Sequence, residues 1–115
     1  MSESPLMVKS KTFALEVIRA CKALREVKCE SALIHQFLRS GTSIGANIHE
    51  ANYASSRADF ISKMQIALKE CYETEYWLEI LYKTEDDALV SEEFINCCHE
   101  KGLILWSNSM SLTDT

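Results

Sequence analysis

Apolar residues recur along most of this chain at alternating steps of three and four, and this spacing constrains its fold more than any other feature. The clearest run, which includes one threonine, is Phe60, Met64, Ala67, Cys71, Thr74, Leu78 and Leu81. Because a helix turns once every 3.6 residues, such a run forms one stripe along one side of a helix. Three glycines and one proline in 115 residues are too few for a turn-rich all-β fold. The spacing and composition together predict an all-α protein.

Four helical segments are separated by short polar stretches. The predicted helices cover approximately residues 5–28, 32–54, 57–84 and 91–110. Ser56 to Asp59 resembles a capping box at the start of the third helix, with Asp in place of the usual Glu or Gln. Ser91, followed by two glutamates, is typical of the start of the fourth helix. Short connections favour antiparallel neighbours, so we predict a single domain, an antiparallel up-and-down four-helix bundle.

The chain shows no sign of a membrane or secretory role. No segment reaches the roughly 18–20 uninterrupted apolar residues that span a bilayer. The first ten residues lack the apolar stretch of a signal peptide. Five cysteines are an odd number and have no C-x-x-C spacing, which disfavours the disulfide framework of a small secreted protein. We therefore expect a reduced, cytoplasmic protein without membrane partners.

Charge is distributed unevenly along the chain. The net charge is −5, but residues 1–39 hold seven basic and four acidic residues, whereas residues 40–115 hold five and thirteen. The first helix is therefore predicted to present a mildly basic surface, formed by Lys11, Arg19, Lys22, Arg25 and Lys28. Such a surface is most often solvated or complements an acidic neighbour. A contact with nucleic acid is the alternative.

Two of the three glycines, Gly41 and Gly45, fall inside the second predicted helix. The apolar stripe keeps its phase from Ile34 through Ile48, so the helix is predicted to continue across them. Glycines four residues apart share one face and allow another backbone to approach closely. That face could pack within the bundle or form a subunit interface. A phosphate-binding loop is disfavoured, because no strand precedes Gly41 and no lysine follows Gly45 at P-loop spacing.

Aromatic residues on the third helix add to the case for an interface. Trp77 and three tyrosines are spread around more of that helix than one buried stripe requires, and Tyr and Trp are enriched in interfaces. The residues predicted for close helix packing or an oligomer interface are Gly41, Ser43, Ile44, Gly45 and Trp77.

Two motifs resemble one protein family. The first is Leu-Arg-Ser-Gly-Thr-Ser-Ile-Gly-Ala-Asn-Ile at residues 38–48, followed by Glu50 and Ala51; the second runs from Asp59 to Leu78. They are similar to motifs of the small four-helix-bundle family named for intervening sequences in bacterial 23S ribosomal RNA genes. This resemblance covers about residues 7–106 and implies a ring-like homopentamer. A related branch, the accessory variability proteins of diversity-generating retroelements, binds nucleic acid and reverse transcriptase. The cellular role of the main branch is undefined.

Several polar residues flank the apolar stripes of the second and third helices, namely Arg39, Asn47, Glu50, Glu70 and Glu73. Arg39 and Glu50 are about 16 Å apart along one helix, so each needs a partner from another helix or subunit. We interpret these residues as an interhelical polar network that fixes helix register. A carboxylate metal site or an acid–base pair is the alternative.

No catalytic, cofactor-binding or metal-binding motif stands out. The chain lacks the paired Glu-x-x-His motifs of di-iron bundles, and His49-Glu50 lacks the second histidine of H-E-x-x-H. The adjacent cysteines of Cys97-Cys98-His99 fit a single metal ion poorly. We therefore expect no enzyme activity, no cofactor and no small-molecule substrate. The preferred interpretation is a homo-oligomeric binding or scaffold protein, pentameric if the resemblance holds. The alternative is a nucleic-acid-binding accessory factor, with RNA, DNA or a reverse transcriptase as partner.

Overall fold

Three helices account for most of residues 5–84, the part of the chain that the computed structural model describes. They are α1 (Pro5–Glu26), α2 (Ser31–Ala51) and α3 (Arg57–Thr84), and this part of the chain contains no strand. The all-α prediction is confirmed over these residues. The fourth predicted helix, 91–110, lies outside them.

Helix α2 packs against both α1 and α3. The core consists of the apolar stripes of the three helices, and its largest fully buried side chains include Phe13, Leu24, Phe37, Ile44, Leu78 and Leu81. Val27 follows the buried Leu24 by three residues, the same spacing as the core residues of α1, but it is 52% exposed because α1 ends at Glu26.

Helix α1 ends two residues earlier than predicted, and backbone hydrogen bonds explain why. The Lys28 N–H donates to the Arg25 carbonyl and the Cys29 N–H donates to the Leu24 carbonyl, both at 3.0 Å. This pair of bonds is the Schellman arrangement, which requires a left-handed residue just beyond the helix. Lys28 occupies that position with φ 60°, where glycine is more usual.

Helix α2 runs without a break through Gly41 and Gly45, as the phase of its stripe predicts. Nearby hydroxyl groups are satisfied by carbonyls of the preceding turn: Ser40 Oγ donates to Gln36 O at 2.9 Å and Thr42 Oγ1 to Leu38 O at 2.8 Å. These bonds allow Ser40 to be fully buried without an unsatisfied polar group. The helix ends at Ala51, and residues 52 and 53 form a turn in place of the predicted last helical turn.

The capping box predicted at the start of α3 is present in a shifted form. The Asp59 N–H donates to Ser56 Oγ at 3.1 Å, which is the bond expected of an N-cap serine. The Asp59 carboxylate accepts from the N–H of Ser55 at 3.2 Å, one residue before the N-cap. Asp59 is also the acidic residue of the first turn, where it favours the positive end of the helix dipole.

Candidate functional site

A cluster of polar side chains joins the outer edges of α2 and α3, with Arg39 at its centre. Arg39 projects from α2, where its Nη1 lies 3.3 Å from Glu70 Oε2 on α3 and its Nη2 donates to Glu73 Oε2. Its Nε is 3.4 Å from Gln36 Oε1, one turn back on α2. One guanidinium therefore uses all three of its nitrogens within this chain. We name Arg39, Glu70, Glu73 and Trp77 the Arg39 cluster.

Glu73 also binds the tryptophan that follows it by one turn. The Trp77 indole Nε1 donates to Glu73 Oε2 at 3.1 Å, so this carboxylate accepts from both an indole and a guanidinium. The Trp77 bond, and then the bond to Arg39, hold the pKa of Glu73 below its ordinary value. The pKa of Arg39 is raised, chiefly by its hydrogen bond to Glu73. The rings of Tyr76 and Trp77 pack nearly perpendicular to each other, with 5.0 Å between their centroids.

A second ion pair joins the same two helices near their connection. Lys63 Nζ on α3 lies 3.1 Å from Glu50 Oε1 on α2. Glu50 follows Arg39 by eleven residues on α2, and Lys63 precedes Glu73 by ten residues on α3. These matching separations are those of antiparallel helices. Once Arg39 is known to pair with Glu73, this register places Lys63, which was not among the predicted site residues, opposite Glu50.

The structure brings together three of the five residues predicted for the interhelical network, namely Arg39, Glu70 and Glu73. Glu50 forms its separate pair with Lys63. Asn47 stays within its own helix, where its Nδ2 donates to the Ser43 carbonyl at 2.8 Å.

The five residues predicted for close packing or an oligomer interface lie in three different places. Gly41 and Gly45 face α1: a Cβ at Gly41 would lie 2.9 Å from Val17 Cγ2, and one at Gly45 would lie 3.4 Å from Ser10 Oγ. Ile44 is buried in the core. Ser43, whose hydroxyl donates to the Arg39 carbonyl, and Trp77 lie half-buried on the side of α2 and α3 that carries the Arg39 cluster.

The basic residues predicted on the first helix are all exposed. They are Lys11, Arg19, Lys22, Arg25 and, just beyond the end of α1, Lys28. Large apolar side chains are exposed among them: Val8 is 49% exposed, Leu15 53% and Ile18 37%. This surface of α1 is therefore both basic and aliphatic.

Residues 5–84 contain no group of three His, Cys, Asp or Glu side chains that could hold a metal ion. Two cysteines of this region, Cys21 and Cys71, are buried in the core, and burial raises the pKa of the Cys21 thiol. A shallow groove beside the α1–α2 connection is lined by Arg25, Ser31, Ala32, Ile34, His35 and Gln36. None of α1, α2 and α3 is long and apolar enough to cross a membrane.

The chain is similar to known proteins over most of its length. The model of the 23S rRNA-intervening sequence protein family matches residues 3–105. A solved structure with a similar fold is that of a protein of unknown function from the S23 ribosomal protein family of Bacteroides thetaiotaomicron VPI-5482. The two sequences are 43% identical, the match covers 96% of this chain and 99% of that chain, and the TM-score is 0.78. No curated protein matches the chain significantly.

Proposed function

The chain belongs to the 23S rRNA-intervening sequence protein family, as its two motifs predict, and from this membership we propose a non-enzymatic, homo-oligomeric binding or scaffold protein. The proposed subunit is a four-helix bundle whose last helix is the one predicted at 91–110. The proposed assembly is the homopentamer that the family resemblance implies, and its proposed location is the cytoplasm.

The observation that carries this proposal is the set of large apolar side chains on the outer surfaces of α1 and α3. Leu15 is 53% exposed, Tyr72 51% and Tyr76 56%, and each lies on the side of its helix away from the core. Scattered exposed apolar residues are ordinary, whereas neighbouring ones are typical of surfaces that bind another protein. Tyr72 and Tyr76 lie one helical turn apart on α3 and are such neighbours. Tyrosine in particular is enriched at the centres of interfaces.

The Arg39 cluster supports a structural role for the polar residues. Both glutamates of the cluster, Glu70 and Glu73, bind Arg39, and Glu73 also accepts from Trp77. A general acid or base must place its titratable atom within hydrogen-bond distance of a substrate. Here the polar atoms are directed at one another across two helices. We therefore assign the cluster the task of fixing the register of α2 against α3.

Light scattering coupled to size-exclusion chromatography tests the assembly. We expect a single species with a mass five times the 13.1 kDa of one chain. A closed oligomer of another size would contradict the pentamer alone. A mass of one chain at every protein concentration would contradict the whole proposal.

Nucleic-acid binding is the second candidate function, and the observation that favours it is the exposure of all five predicted basic residues on and just after α1. If this surface contacts phosphates, the double substitution Lys22→Glu and Arg25→Glu should weaken binding to RNA or DNA. The affinity of the unmodified protein should also fall steeply with salt, because bound lysines and arginines release counterions. Absent or salt-insensitive binding would contradict this function.

A further inference from the structure

We draw no further inference here: the strongest candidate, the surface patch on the outer face of α1 where Val8, Leu15 and Ile18 lie exposed beside Lys11 and Lys22, carries no proposal because nothing in the structure of residues 5–84 shows what covers it.

Discussion

A Cβ atom at Gly41 would lie 2.9 Å from Cγ2 and 3.0 Å from Cγ1 of Val17, distances that real Cβ atoms rarely show. Val17 is fully buried and its β-branched side chain has one strongly preferred rotamer in a helix, so its methyl groups have little room to move. The close contact between α1 and α2 at this point therefore requires a residue without a side chain at position 41. Gly45 makes a looser contact, since its nearest neighbour would be Ser10 Oγ at 3.4 Å.

The two glycines should respond in opposite directions to alanine. Alanine is favoured over glycine inside a helix by about 1 kcal/mol, and overpacking costs about 1–3 kcal/mol. Gly41→Ala should therefore lower the free energy of unfolding by about 1 kcal/mol. Gly45→Ala, which meets only ordinary contacts, should raise it by up to about 1 kcal/mol. Urea unfolding followed by circular dichroism measures both, and an equal response at the two positions would show that Val17 does not restrict Gly41.

A double-mutant cycle with Val17→Ala isolates this contact. Removing the two methyl groups of Val17 should itself be destabilising, because it leaves a cavity in the core. The same removal eliminates the clash with a Cβ at residue 41. The combined variant should therefore be more stable than the sum of the single effects predicts, by about 0.5–3 kcal/mol. Strict additivity would mean that the two positions do not touch in solution.

Replacing Lys28 by glycine should stabilise the fold. Lys28 adopts the left-handed conformation just beyond the end of α1. This conformation is sterically unfavourable for a residue with a side chain but not for glycine. We expect Lys28→Gly to raise the free energy of unfolding by about 1 kcal/mol. The control is Lys22→Gly in the interior of α1, which should lower it by about 1 kcal/mol. A destabilised Lys28→Gly variant would indicate that α1 ends differently.

The two ion pairs between α2 and α3 should differ in their contribution to stability. Arg39 binds two glutamates, and the Glu70 side chain is only 17% exposed, so Arg39→Met would leave a largely buried carboxylate without this partner. We expect a loss of about 1–2 kcal/mol for Arg39→Met. Lys63→Met removes a partner from Glu50, which is 54% exposed, and should change the free energy of unfolding by less than about 1 kcal/mol. If urea unfolding gives equal losses of stability for Arg39→Met and Lys63→Met, the Arg39 cluster contributes no more than the pair of Lys63 and Glu50.

The sequence predicted the three described helices better than it predicted where each of them ends. The stripes of three-and-four steps predicted α1, α2 and α3, and the unbroken phase around Gly41 predicted that α2 is continuous. The end of α1 depends on a single left-handed residue, and Lys28 gives no sign of that conformation because glycine normally marks it. The turn at residues 52 and 53 likewise depends on local hydrogen bonds that the apolar spacing does not encode.

The site was predictable as a set of residue types, but its pairings were not. Arg39, Glu70 and Glu73 were recognisable because polar groups that flank an apolar stripe need partners on another helix. Which groups pair depends on the register of α2 against α3. For that reason Lys63 was missed and Asn47, which bonds within its own helix, was placed in the network. The buried contact of Gly41 with Val17 also depends on a distance between helices that spacing along one helix cannot reveal.

Through Glu73, the Arg39 cluster should make the free energy of unfolding depend on pH in the acidic range. The pKa of Glu73 is lowered in the folded state by the bonds from Trp77 and Arg39. The unfolded chain therefore binds a proton at this carboxylate more tightly than the folded chain does. The resulting stabilisation is fully present above the ordinary pKa of glutamate, and it is lost as the pH falls through the lowered pKa.

Glu73→Gln removes this proton-binding group while keeping an oxygen that can accept from Trp77. At neutral pH the variant should be less stable than the unmodified protein by no more than about 1 kcal/mol, because both side chains of the ion pair are partly exposed. As the pH falls through the lowered pKa of Glu73, the difference should shrink, since the unmodified protein then loses the same charge. Urea unfolding at a series of pH values measures this difference, and Glu79→Gln on the outer side of α3 is the matched control. A difference that stays constant from neutral to acidic pH would show that the Glu73 charge does not stabilise the fold.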